Sequence, residues 1–98
     1  MIKSRFLPAA EAELLKEVAY YSNARQGTGI KFQKAVEAAV EKASLRPEGG
    51  VPTSKGARSR IVKGFPFSVV YRASDAKLLD VAVAHHRRLP DYWLGRME

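Results

Sequence analysis

Ninety-eight residues, 46% of them hydrophobic and 28% charged, suit one compact domain over 1–98 and leave no room for a second. No cysteine is present, which excludes disulfides and Cys-based zinc sites. The net charge is +7, unevenly placed: residues 1–54 carry eight Lys/Arg against six Asp/Glu, and residues 55–98 carry nine against four. That bias favours an anionic partner, either a nucleic acid or an acidic protein segment. No apolar run approaches the roughly 18 residues of a membrane span, so a cytoplasmic protein is expected.

"IKSRFL" (2–7) alternates Ile2, Ser4 and Phe6 with Lys3, Arg5 and Leu7, as a short strand does. Pro8 stands where a helix begins, and Glu11 and Glu13 occupy its early turns, where the macrodipole favours acids. Leu14, Val18 and Tyr21, flanked by Leu15 and Ala19, form a stripe that predicts a helix over 8–24. "RQGTG" (25–29) breaks it. Lacking a preceding strand and a following Lys-Ser/Thr, this segment reads as a helix–helix turn rather than a phosphate loop. A second stripe, Phe32, Val36, Ala39, Val40 and Ala43, predicts a helix over 29–45, stopped by "RPEGG" (46–50) and Pro52. Two amphipathic helices so connected form an antiparallel hairpin whose stripes need a common partner.

That partner is a sheet. "SRIVK" (59–63) is short and β-branched, Gly64-Phe65-Pro66 turns the chain, and "FSVVYR" (67–72) alternates faces. "ASDAK" (73–77) reads as a hairpin loop before the longest strand, "LLDVAVAH" (78–85). Strict alternation there puts Leu79, Val81, Val83 and His85 on one face, and Asp80, Ala82, Ala84 and His86 on the other. The pattern is α+β, in the order β-α-α-β-β-β: a small antiparallel sheet packed against a helical hairpin, its other face partly open. The sheet position of the first strand is left undetermined.

Candidate chemistry gathers after residue 84. His85 and His86 point to opposite faces and so cannot chelate one metal; neither a metal site nor a cofactor is expected. Either imidazole has general acid–base capacity, although a half-buried hydrogen bonder at a strand end is the simpler reading of His85. Arg87 and Arg88 follow, with Arg60 and Arg72 on neighbouring strands. Consecutive hairpins would bring these guanidiniums to one concave face, where arginine binds phosphate or carboxylate in bidentate fashion. Pro90-Asp91-Tyr92-Trp93 turns the tail away. Trp93 reads as a plug on the core edge, and the Tyr92 hydroxyl as a proton donor or a backbone cap. Tyr20, beside the striped Tyr21, faces outward as a contact residue.

Taken together, Tyr20-Tyr21 ahead of the glycine turn, Phe65-Pro66-Phe67 with Val70-Tyr71-Arg72, and His85-x-Arg87-Arg88-x-Pro90 resemble the RelE/ParE superfamily of bacterial toxins. The resemblance covers nearly the whole chain. It implies the toxin half of a type II toxin–antitoxin pair, with a cognate antitoxin that has a DNA-binding part and an acidic segment wrapping the toxin. On that footing Tyr20, Arg60 and Arg72 are expected to meet the antitoxin. Arg60, Arg72, Arg87, Arg88 and Arg96 are expected to meet the target or a nucleic acid. RelE-like members cut messenger RNA on the ribosome, and ParE-like members poison DNA gyrase. Where RelE-type toxins carry an arginine on the central strand, this chain has Ser68; Arg87 matches a second arginine, and Tyr92 or Trp93 falls near a C-terminal tyrosine. The long hairpin and the His-x-Arg-Arg-x-Pro ending lean toward the ParE-like branch, with a RelE-like endoribonuclease as the alternative and a non-toxic antitoxin-binding module as the second. If the chain is an enzyme it is an endoribonuclease, with Arg87, His86, Tyr92 and Arg72 as the candidate catalytic residues.

Overall fold

The computed structural model describes residues 2–97. Pro8 supplies the fixed φ of a first helical turn, and helix α1 runs Pro8–Ala24, followed by α2 over Thr28–Leu45. Between them Gly27 takes φ +84, a left-handed conformation that a side chain would strain. Gly29 serves a different need, close packing. A Cβ there would collide with Ser22 Oγ and lie 2.6 Å from the Val18 carbonyl oxygen, so the helices meet this closely only over a glycine.

The hairpin covers one face of a five-stranded sheet made of β1 (Lys3–Phe6), β2 (Val51–Pro52), β3 (Arg58–Val62), β4 (Phe67–Ser74) and β5 (Lys77–His85). Their spatial order is β1-β5-β4-β3-β2. β1 lies parallel to β5, with Lys3 opposite Lys77 and Phe6 opposite Asp80, whereas the other pairs are antiparallel. β3, β4 and β5 form the antiparallel sheet expected; β1, whose position the sequence left undetermined, makes the whole sheet mixed, and β2 adds a strand in a segment read only as a helix stop. The two-helix connection carries the chain from β1 to β2 and β3 at the far edge, and the antiparallel run β3-β4-β5 then brings β5 back alongside β1 in parallel sense.

A register shift between β4 and β5 redistributes the faces: Val70 pairs with Ala82 but Tyr71 pairs with Asp80. Val81 is the extra residue of a bulge, and one extra residue inverts the alternation beyond it. Leu78 and Val83 join the helix-side core with Phe32, Val36, Val69 and Tyr71. Leu79, Val81, Ala82 and Ala84 pack on the other side. The expected common face for Leu79, Val81, Val83 and His85 is thus wrong, since the bulge sends Leu79 and Val81 to one side and Val83 and His85 to the other.

The outer face is not open in its middle. The C-terminal tail folds back over it, and Trp93, only 4% exposed, packs with Val70, Val81, Ala82 and Ala57. Trp93 is the plug expected, laid across a sheet face rather than its rim. At the other end of β4 the Tyr71 hydroxyl donates to the Pro47 carbonyl at 2.8 Å and accepts from the Gly50 N–H at 3.1 Å. That pair of bonds ties the segment after α2 to the sheet. Asp80 is fully buried where β1, β5 and the start of α1 meet, and neither carboxyl oxygen has a hydrogen-bond partner. Burial pushes its pKa up to about 7.

Candidate functional site

β1 ends opposite Asp80, so the edge of β5 beyond it would expose unpaired backbone groups. Glu13, on α1, and Arg96, in the tail, close that edge. Glu13 Oε1 accepts from the Val83 N–H at 3.0 Å, and Arg96 Nη1 donates to the Val81 carbonyl at 3.0 Å. The two side chains form a bidentate pair, Nη1 to Oε1 at 2.8 Å and Nη2 to Oε2 at 3.0 Å. Tyr92 completes the group, its hydroxyl donating to Glu13 Oε2 at 2.6 Å. Burial alone would raise the Glu13 pKa, but the bonds from Arg96, Tyr92 and the Val83 N–H outweigh it and hold the carboxyl below its ordinary range. Burial and the bond to Glu13 push the Tyr92 phenol well up. As placed, Tyr92 caps a carboxylate.

On the outer face, His86 follows directly after β5. Its Nε2 lies 3.0 Å from Ser68 Oγ, and its backbone N–H donates to the Pro66 carbonyl at 2.9 Å. Arg88 lies over the Tyr92 ring, 3.9 Å from its centroid. These groups line a small cavity of about 220 Å³ with Thr53, Ser59 and Asp91. Ser54 Oγ donates to the Asp91 carboxylate at 2.8 Å.

Arg87 does not join them. It lines a cavity of about 430 Å³ at the far end of α1, with Glu17, Tyr20, Tyr21, Pro66, Phe67 and His85. His85 stacks edge-on against Phe67, centroids 4.9 Å apart, and its Nδ1 accepts the Arg87 backbone N–H at 3.0 Å. Arg60, paired with Val69 of the helix-side core, reaches toward the end of α2 and donates from Nη2 to the Arg46 carbonyl at 3.3 Å. It lines a groove of about 760 Å³ between α2 and β3, with Lys34, Lys42, Lys63 and Ile61. Arg72 lies at the opposite end of the sheet, beside a cavity shared with Lys3, Arg5 and Lys77. The expected convergence of Arg60, Arg72, Arg87 and Arg88 on one concave face is therefore not found. The pleat and the length of β4 distribute them over four surfaces. Among the described residues no group of three or more His, Asp or Glu side chains is placed to hold a metal ion. Among the described residues, no helix is long and apolar enough to cross a membrane.

Residues 5–90 match the family described as the ParE toxin of the type II toxin-antitoxin system parDE. The chain belongs to the ParE toxin family. A solved chain of the chromosomal ParDE toxin–antitoxin system from P. aeruginosa has the same fold, with a TM-score of 0.74 at 16% identity, over 87% of this chain and 96% of that one. No curated protein matches.

In this ParE toxin, sequence reasoning missed Glu13, Lys34, Lys42 and Lys63 as parts of sites. Glu13 carried a local signal, an acid in an early helical turn, which macrodipole arguments already absorb. Its partner Arg96 is 83 residues away, and no spacing rule connects the two. The lysines of the groove sit on the solvent side of a helical pattern, where cations need no explanation. Only the neighbouring unpaired edge of β3 gives them a shared context.

Proposed function

We propose that this ParE toxin arrests growth by binding DNA gyrase, acts in the cytoplasm and is neutralised by a cognate antitoxin. One observation carries the reading against RNA cleavage. The groups that cleavage would recruit are divided or already committed: Arg87 lies on the helix side of the sheet, and His86 and Ser68 on the other. The Tyr92 hydroxyl and Arg96 are held by Glu13. General acid–base cleavage needs its donors and acceptors within hydrogen-bond reach of one phosphodiester, and such a division favours recognition by surface over chemistry.

The antitoxin's acidic segment fits the groove beside Arg60. β2 pairs only with Arg58 and Ser59, which leaves the outer edge of β3 from Arg60 to Val62, the side away from β4, without a strand partner among the described residues. Lys34, Lys42, Arg60 and Lys63 line the groove, and Ile61 stands 70% exposed in it. An extended acidic chain satisfies the edge and the cations together, whereas a second copy of this basic chain would bring like charges together. Tyr20 and Arg72 lie outside the groove, and the antitoxin would have to continue around the toxin to reach them.

Pulse labelling of DNA and protein synthesis within minutes of inducing this chain alone is the test. DNA synthesis falling first, with a damage response, supports gyrase. Protein synthesis falling first, and lost with Arg87→Ala, would restore the RNA-cleaving reading.

A further inference from the structure

The cavity at the far end of α1 lies apart from the groove beside Arg60, and an acid, an arginine, a histidine and aromatic rings line it. Glu17 and Arg87 both face it, yet they form no ion pair with each other, and neither has a hydrogen bond from its side chain among the described residues. An acid and an arginine in one cavity without pairing leave two opposite charges available to a ligand. Between them stand aromatic surfaces. Tyr20 is 62% exposed, its ring meeting Tyr21 edge-on at 5.2 Å, and Tyr21 in turn rests on Phe65 at 5.0 Å. His85 contributes a donor of known identity. Its Nδ1 accepts the Arg87 N–H, so the neutral ring carries its proton on Nε2, which has no partner among the described residues. At about 430 Å³ the cavity is within the range of small-ligand sites.

We propose that this cavity binds a guanosine phosphate, with Tyr20 as the stacking platform, Glu17 and His85 reading the base and Arg87 holding the phosphate. The chemistry selects the base. A carboxylate accepts from the guanine N1–H and N2 amino group together, and an imidazole N–H donates to an acceptor such as N7 or O6. Adenine would turn the lone pair of its N1 toward the same carboxylate, an unfavourable contact. An exposed tyrosine ring stacks on a base at little entropic cost, and the Arg87 guanidinium matches a phosphate in bidentate fashion. A peptide cation drawn to Glu17 would instead be repelled by Arg87. The source can be a free nucleotide or a guanine within a single strand, since both present the same groups. The proposal stands independently of the gyrase reading.

Isothermal titration of the full chain with GMP, AMP and guanosine tests it. GMP should bind at least about tenfold more tightly than AMP. Glu17→Gln should remove that preference, and Arg87→Ala should weaken GMP by about tenfold while leaving guanosine unchanged. Tyr20→Ala should weaken both nucleotides alike. An unchanged Tm in all three variants shows that the fold is retained. A single-stranded RNA or DNA trinucleotide with a central guanine distinguishes the sources: tighter binding than GMP identifies a strand, and equal or weaker binding identifies the free nucleotide. No binding of any guanosine phosphate, equal binding of GMP and AMP, or a guanine preference that survives Glu17→Gln would each overturn the proposal.

Discussion

Replacing Asp80 with asparagine should stabilise the toxin relative to wild type as pH rises from 4 to 8. Asp80 is fully buried with both oxygens unpartnered, and its pKa is raised from an ordinary 3.8 to about 7. Well below pH 3.8 the carboxyl is neutral in both folded and unfolded chains, and ionisation costs nothing. Between pH 4 and 7 the unfolded chain releases the proton while the folded chain keeps it, so stability falls as pH rises; above 7 the full penalty is present. A shift of about three units corresponds to about 4 kcal/mol. An asparagine amide left unpaired in the same place carries its own cost of about 1–3 kcal/mol, but that cost does not vary with pH. The quantity to measure is therefore the pH dependence of the difference between the two proteins. Urea unfolding at half-unit intervals from pH 4 to 8 provides it, and other carboxylates cancel because both proteins share them. Wild type should lose about 4 kcal/mol against Asp80→Asn across the range. A difference that stays flat within about 1 kcal/mol would show that folded Asp80 is solvated or paired, and would refute the argument from burial.

Four further outcomes follow from the packing. Glu13→Gln should destabilise by about 2 kcal/mol in urea unfolding, because it removes the charge that faces Arg96 and turns one of the two acceptors shared by Arg96, Tyr92 and the Val83 N–H into a donor. Since folding lowers the Glu13 pKa, its contribution is present at neutral pH and is lost as pH falls through and below the ordinary carboxylate range, so the variant's deficit should shrink in acid. Trp93→Ala should cost about 3–5 kcal/mol, as the plug over Val70, Val81 and Ala82 is removed; dye binding to the exposed face should rise with it. Gly29→Ala should cost about 1–3 kcal/mol, measured by thermal melting, since the helices must separate to admit the methyl group. Arg60→Glu with Lys63→Glu should weaken antitoxin binding by about tenfold or more and flatten its salt dependence, with the fold unchanged.

Local order was legible from the chain. Pro8, the two glycines of "RQGTG" and the 3.6-residue stripes specify the hairpin, because helix periodicity and turn chemistry act over a few residues. The alternation of Phe67, Val69 and Tyr71 likewise places β4 with the correct face inward. The ParE resemblance rested on motifs of the same short range. What only the tertiary structure decided depends on partners distant in sequence. The parallel seat of β1, the bulge at Val81 and the tail laid over the outer face each redirect side chains that a strict two-residue period assigns otherwise. Four arginines expected together were dispersed for this reason, and Glu13, Arg96 and Tyr92, never adjacent in any pattern, were brought together. Periodicity reports which face a residue prefers; which strand lies alongside, and what covers that face, is determined by long-range packing that no local window contains.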